Sequence, residues 1–195
     1  MNKGRLEAFS DGVFAIIITI MVLELHVPEG STFGDLKPLI PKFISYALSF
    51  TYVAIYWNNH HHMFQLVKHV NGKVLWRNMF LLFCLSLVPF VTAWMGENHF
   101  SASPTALYGI VLAMAGIAYY FLIHSLIKLH GEDSLLATSI GDDFKGKISV
   151  VIYVVGILIS FYNSWISFGL YCCVAVMWFI PDKRIEKRLM AKGEE

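Results

Sequence analysis

The feature of this sequence that most constrains its fold is a long apolar run, residues 8–27, that follows directly on charged and polar side chains. Arg5, Ser10 and Asp11 stand at its start. A helix needs roughly 20 residues to cross the hydrocarbon core of a bilayer, and the run has about that length. A charged group held in hydrocarbon costs roughly 2.5–3.5 kcal/mol. We therefore expect the polar groups at this entrance to serve the function of the protein.

The composition and the other apolar runs predict an all-α integral membrane protein. Hydrophobic residues make up 56% of the 195 residues and charged residues only 15%, whereas a soluble domain has about 25% charged residues. The last long apolar stretch is divided at Tyr162-Asn163-Ser164, which supplies turn chemistry. Six transmembrane helices are then predicted, at 8–27, 38–63, 76–96, 104–128, 147–163 and 165–181. Residues 1–182 form a single six-helix domain in this interpretation, and 183–195 form a short basic tail.

The distribution of lysine and arginine predicts the orientation. Cytoplasmic loops of membrane proteins are enriched in these residues. The sequence has 15 lysine and arginine residues. If the N-terminus lies in the cytoplasm, only Lys37 and Lys42 fall on the outer side of the membrane, and all the others fall on the cytoplasmic side. An even number of crossings with both termini in the cytoplasm satisfies this rule.

Polar clusters from three helices fall at one membrane depth in this topology. They lie at the start of helix 1, the end of helix 2 and the start of helix 3. Polar groups in a membrane must satisfy one another or line water. We therefore predict a hydrogen-bond network that ties the three helices together on the cytoplasmic side. Its candidate members are Arg5, Ser10, Asp11, Asn58, Asn59, His60, His61, His62, Trp76, Arg77 and Asn78.

One face of the first helix carries a regular stripe of residues with spacings that alternate between four and three. At about 100° per residue these positions share one narrow face, while Ser10 and Asp11 point away from it. Two interpretations remain open: the stripe is the core of a helix bundle, or it lines a pore or an interface. A threonine in such a helix can also bond to its own preceding turn. The stripe consists of Arg5, Phe9, Gly12, Ile16, Thr19 and Leu23.

The sequence contains no pattern typical of an enzyme, a metal site or a nucleic-acid-binding protein. It has no nucleophile elbow, no zinc-protease motif and no glycine-rich phosphate loop, and its formal net charge is +1. The consecutive residues His60, His61 and His62 point in three directions on a helix and cannot all bind one metal ion. The three cysteines, Cys84, Cys172 and Cys173, lie in apolar runs and are interpreted as buried hydrophobic side chains. No cofactor is expected.

The motif Arg5-x-x-x-Phe9-Ser10-Asp11 resembles the signature of the transmembrane protein 175 family of potassium channels. The resemblance extends over essentially the whole chain. It includes Trp57, His61, His62 and Phe64 in helix 2, Asn78 in helix 3, and the segment Ser86-Leu-Val-Pro89-Phe.

This resemblance implies a channel in the plasma membrane of a bacterium, in which four copies of a six-helix chain surround one pore for potassium. Helix 1 lines the pore in this family. In the family, the residues that constrict the pore lie at fixed distances after the motif aspartate. Counted from Asp11, these positions in this sequence are Ile16, Thr19 or Ile20, and Leu23. Apolar rings at these positions would replace the T-V-G-Y-G filter, which this sequence lacks. Arg5, Phe9, Ser10, Asp11, Trp57, His61, His62 and Asn78 would then hold helix 1 in place.

Two alternatives lie outside this interpretation. One is a proton-coupled secondary transporter, in which Asp11 and the histidines relay protons. The other is a membrane scaffold, in which the stripe on helix 1 is only an interface.

Overall fold

The computed structural model describes residues 3–141 and 143–179, apart from the side chain of residue 140. All regular secondary structure in the described part of the chain is helical, with a 3-10 helix at Phe33–Leu39 before the second α-helix. The α-helices are α1 Lys3–Leu23, α2 Ile40–Gln65, α3 Gly72–Ser86, α4 Val88–Glu97, α5 Ala102–His130, α6 Leu135–Ile140, α7 Phe144–Ile159 and α8 Ser164–Phe179.

Four helical stretches are long and apolar enough to cross a membrane. They are Lys3–Leu23, Phe33–Gln65, Gly72–Glu97 and Ala102–His130. The helices α7 and α8 have 16 residues each. A turn separates them at residues 160–163, where the sequence predicted the break. Crossing of the membrane by all six segments stays a prediction.

The boundaries of the first helix differ from the prediction. It spans Lys3–Leu23 rather than 8–27, so Glu24 and the residues after it form a non-helical exit. At its start, Lys3 Nζ donates hydrogen bonds to the carbonyl oxygens of Phe64 (2.7 Å) and Val67 (3.1 Å). These carbonyls lie at the C-terminal end of α2, where a cation is favourable. This long-range contact explains the early start, which local sequence does not reveal.

The third predicted helix, 76–96, is two helices, α3 and α4, that meet at Leu87. Pro89 lies in the first turn of α4. A proline has no N–H to donate, and its ring collides with the carbonyl of the preceding turn. Pro89 therefore accounts for the break at Leu87.

The helix α5 is the centre of the bundle and packs against α3, α4, α7 and α8. The helix α1 lies to one side, against α2, α3 and α4. Its buried side chains are Leu6, Ser10, Phe14, Ile17 and Met21. Packing on one side alone leaves the rest of α1 without a partner among the described helices.

Several predictions fall on the remainder of the chain. The end of the sixth predicted helix, the boundary at residue 182 and the basic tail 183–195 lie outside the described residues. The loop before α7 contains the short helix α6, which the sequence analysis did not predict.

Candidate functional site

The helix α1 has one buried face and one exposed face. Phe14, Ile17 and Met21 are 1%, 3% and 2% exposed, whereas Ile16 and Leu23 are 58% and 74% exposed. The side chains of the predicted stripe lie on the exposed face. The interpretation of Ile16 and Leu23 as core residues of the bundle within one chain is therefore wrong.

Beyond Arg5 at its start, the exposed face of α1 is apolar with one hydroxyl group. Thr19 Oγ1 donates a hydrogen bond to the carbonyl oxygen of Ile16 at 2.9 Å. This bond uses the only proton of the hydroxyl, so the lone pairs of its oxygen remain available as acceptors. Ile20 is 42% exposed beside it. The face thus presents hydrophobic surface interrupted by an acceptor oxygen at Thr19.

The buried face of α1 is fixed by a chain of hydrogen bonds that runs through three helices. His60 Nε2 of α2 donates to Asn78 Oδ1 of α3 at 2.8 Å, and Asn78 Nδ2 donates to Ser10 Oγ of α1 at 2.9 Å. Ser10 Oγ in turn donates to the carbonyl oxygen of Leu6 at 2.9 Å. His60, Asn78 and Ser10 are all buried. Each of these groups has a fixed hydrogen-bond partner on a neighbouring helix or turn. This network therefore sets the rotation of α1 about its axis.

A second, exposed contact joins α1 to α2. Trp57 Nε1 donates a hydrogen bond to Asp11 Oδ1 at 3.0 Å. The ring of Trp57 stacks on that of His61, with centroids 5.7 Å apart and planes at 15°. His61 bonds to Gln65 within α2, at 2.8 Å. His61 therefore supports the tryptophan that holds Asp11.

The histidine that completes the buried network is His60, one of its predicted members, whereas the family resemblance pointed to His61 and His62. A rotation of 100° per residue separates these positions, and only His60 faces Asn78. The Nδ1 atom of His62 is buried and has no hydrogen-bond partner among the described residues. Arg5 is exposed, on the same face as Phe9, and makes no hydrogen bond or ion pair within the described part of the chain.

Phe14 and Phe64 enclose the ring of His60, and neither was predicted to belong to the network. His60 lies four residues before Phe64, and the two rings pack with centroids 4.6 Å apart. Phe14 meets the edge of the His60 ring at 5.6 Å. The buried positions on α1 repeat with helical spacing, as the exposed stripe does, so periodicity alone did not show which face was inside.

The arrangement offers no site for a resident metal ion in the described residues, because no three histidine, cysteine or acidic side chains there converge. What it offers instead is a helix with a hydrophobic exposed face, anchored along its opposite side. Such a face suits contact with a further copy of the chain or with a water-filled conduit.

Three comparisons with known proteins bear on this site. Residues 5–89 match a family described as "Endosomal/lysosomal potassium channel TMEM175". A potassium channel of Chryseobacterium sp. (strain P1-3) is 58% identical over 189 residues, which are 97% of this chain and 98% of that protein. The endosomal/lysosomal proton channel TMEM175 of Danio rerio is 27% identical over 92% of this chain but only 36% of its own length.

Among solved structures, the chain is similar to the crystal structure of a lysosomal potassium-selective channel TMEM175 homolog from Chamaesiphon minutus. The TM-score is 0.78 with 28% sequence identity, and the match covers 92% of this chain and 97% of the other. The segment that matches the family contains α1, α2 and α3, which carry the exposed stripe and the network behind it.

Proposed function

This chain belongs to the TMEM175 family of potassium channels, and we propose that it is a potassium-selective, leak-like cation channel assembled as a homotetramer. Four copies of α1 line one pore. Hydrophobic rings form its constriction in place of a carbonyl filter. The channel lies in the plasma membrane of a bacterium with both termini in the cytoplasm.

The observation that carries this proposal is the exposure of one face of α1. Ile16, Ile20 and Leu23 are large apolar side chains that remain exposed beside every other helix the structure describes. The helix is nevertheless anchored by a buried hydrogen-bond network on its other side. A helix held this firmly, with an uncovered apolar face, is suited to face a symmetry axis between copies.

The mechanism follows from the chemistry of that face. Four Ile16 side chains form one apolar ring, and four Leu23 side chains form a second ring about two turns away along α1. Apolar constrictions gate by dewetting, so an ion must shed water to pass. Potassium releases its water more readily than sodium does. The acceptor oxygen of Thr19, between the rings, replaces part of the lost hydration.

The residues that pack on the other side of α1 act by holding this helix in place. Ser10, Asn78 and His60 hold the rotation of α1, and Trp57 holds Asp11 near its entrance. None of these groups touches the ion in this mechanism. Arg5 and Phe9 lie on the exposed face, where a neighbouring copy supplies their contacts.

The experiment is a bi-ionic current measurement on the protein reconstituted in a planar bilayer, comparing wild type with Ile16→Asn. Asparagine wets the ring, so we expect the potassium-to-sodium permeability ratio to fall by about tenfold, which corresponds to about 1.4 kcal/mol. The matched control is Val22→Asn, because Val22 is exposed on α1 about 120° around the helix from Ile16.

Unitary potassium currents with an unchanged reversal potential in Ile16→Asn would remove Ile16 from the constriction. Coupled flux without unitary events would instead indicate a transporter. The oligomeric state is read separately, from the mass of the detergent-solubilised complex after subtraction of bound detergent.

A further inference from the structure

A cavity of about 410 Å³ lies away from α1, between α2, α5, α7 and α8. Its walls are mostly apolar and aromatic. Its lining extends from the middle of α2 and α5 to the N-terminus of α7 and the last turn of α8, which lie toward the end of the bundle that also holds Lys3. Ligand sites in proteins are usually concave and of this size, with a few placed polar groups.

Two opposite charges stand at the start of α7 beside this cavity. Asp143 caps the helix, and its Oδ1 accepts a hydrogen bond from the Gly146 N–H at 3.2 Å. Lys147 follows one turn later, and no salt bridge joins these two described side chains. Burial raises the pKa of the Asp143 carboxyl group, against the opposing effects of the Gly146 N–H, His124 and Lys147. The carboxylate is thus short of compensating partners.

The aromatic wall carries further polar groups that have no partner among the described residues. The rings of Tyr56 and Tyr119 meet edge to face with centroids 6.0 Å apart. Trp178 closes the wall, its Nε1 donating to Ser149 Oγ at 2.9 Å. Within residues 3–141 and 143–179, neither tyrosine hydroxyl nor the amide of Asn59 has a hydrogen-bond partner, although all three side chains are partly buried and line the cavity.

These groups select a ligand by its charge. A cation alone would face Lys147, and an anion alone would face Asp143. A zwitterion satisfies both, with its ammonium group toward Asp143 and the aromatic rings and its phosphate toward Lys147. A primary ammonium group also has three N–H donors for acceptors such as the Tyr56 and Tyr119 hydroxyls, whereas a trimethylammonium group has none.

We propose that this cavity binds the headgroup of phosphatidylethanolamine from the leaflet at this end of the bundle. The acyl chains leave the cavity past Ile117 of α5, an exposed apolar side chain in its lining. The site is separate from the proposed pore, because no residue of α1 lines it.

The test is native mass spectrometry of the purified oligomer after exposure to equimolar phosphatidylethanolamine, phosphatidylcholine and phosphatidylglycerol with identical acyl chains. We expect wild type to retain phosphatidylethanolamine about tenfold over phosphatidylcholine, the ratio that about 1.4 kcal/mol of added hydrogen bonding gives. Asp143→Asn keeps an N-cap residue on α7 and should reduce this preference to about twofold or less. Asp133→Asn, in the exposed loop before α6, should leave it unchanged.

A second variant removes the space rather than the charge. Gly116 lines the cavity, and a Cβ atom there would meet its nearest neighbour, Val150, at an ordinary 3.7 Å. Gly116→Leu should therefore fold and displace the lipid. Gly169→Leu is its control, because a Cβ atom at the exposed Gly169 meets nothing within 4 Å.

Three results would overturn the proposal: equal retention of the three lipids by wild type, preference for phosphatidylglycerol, or unchanged lipid retention in both Asp143→Asn and Gly116→Leu. Soluble phosphoethanolamine serves as competitor. Binding of phosphoethanolamine as tight as that of the lipid would assign the cavity to a soluble ligand and refute the lipid assignment.

Discussion

Asn78 of α3 donates its side-chain N–H to Ser10 Oγ of α1 at 2.9 Å, and this bond turns Ser10 into the bundle. Ile16 consequently faces outward, since six residues, at 100° each, place it well away from Ser10 around the helix. The orientation of the candidate pore face is therefore decided by a contact on the opposite side of the same helix.

Replacement of Asn78 tests this relationship. Asn78→Leu removes the bridge and leaves Ser10 and His60 buried without that partner, which costs about 1–3 kcal/mol. We expect a lower melting temperature and loss of the assembled oligomer in fluorescence-detected size-exclusion chromatography. Asn58→Leu is the control, because Asn58 is exposed on α2. Equal stability of the two variants would contradict the role assigned to Asn78.

The contact between Trp57 and Asp11 predicts a coupled pair. Asp11→Ala and Trp57→Phe each break the same hydrogen bond. Each should therefore destabilise the packing of α1 against α2 by about 0.5–1.5 kcal/mol and reduce the assembled fraction. The double variant should be no worse than the single ones, because the bond can be lost only once. Trp76→Phe is the control for the loss of an exposed indole. Full potassium flux from a well-assembled Asp11→Ala protein would refute the positioning role.

The hydroxyl of Thr19 predicts a difference between two small substitutions. Thr19→Val keeps the shape of the side chain but removes the acceptor oxygen. The lost coordination should raise the barrier to potassium by about 1 kcal/mol, so that potassium conductance falls severalfold. Thr19→Ser keeps the oxygen and should conduct like wild type. Single-channel conductance in symmetrical potassium measures both. If the valine variant conducts as well as the serine variant, the oxygen does not contact the ion.

The carboxyl group of Asp143 predicts a dependence of stability on pH. Its pKa is raised by burial, so its contribution to stability is full below the ordinary value of 3.8 and is lost as pH rises through the raised pKa. Asp143→Asn should thus raise the melting temperature of lipid-free protein at neutral pH. The difference should vanish as the pH falls below 3.8. A less stable variant at neutral pH would contradict the unfavourable burial of the carboxylate.

A close contact between helices predicts which glycines tolerate a side chain. A Cβ atom at Gly109 of α5 would collide with Tyr171 Oη of α8. Gly109→Ala should lower stability by about 1–3 kcal/mol, because the core is already filled. Gly169→Ala, on open surface of α8, should leave stability unchanged or raise it, since alanine favours the helix. Thermal unfolding in detergent compares the two, and a tolerated Gly109→Ala would show that Tyr171 can move.

The sequence predicted most of the helices because the signals are local. Apolar runs long enough to cross a bilayer gave the approximate positions of the helices, and Asn163 with its neighbours gave the break between α7 and α8. The third segment was predicted as one helix, 76–96, and the structure divides it into two beside Pro89. The start of α1 was missed, because Lys3 is held by carbonyl groups more than 60 residues away.

The sequence by itself determined that α1 is an apolar helix with a polar entrance and a stripe on one face, because length and periodicity follow from the geometry of a single helix. Only the tertiary structure decided that this stripe is uncovered within the chain, and that His60 rather than His61 meets Asn78. The physical reason is that such pairings depend on how three separate helices are rotated against one another. A shift of one residue changes that direction by about 100°.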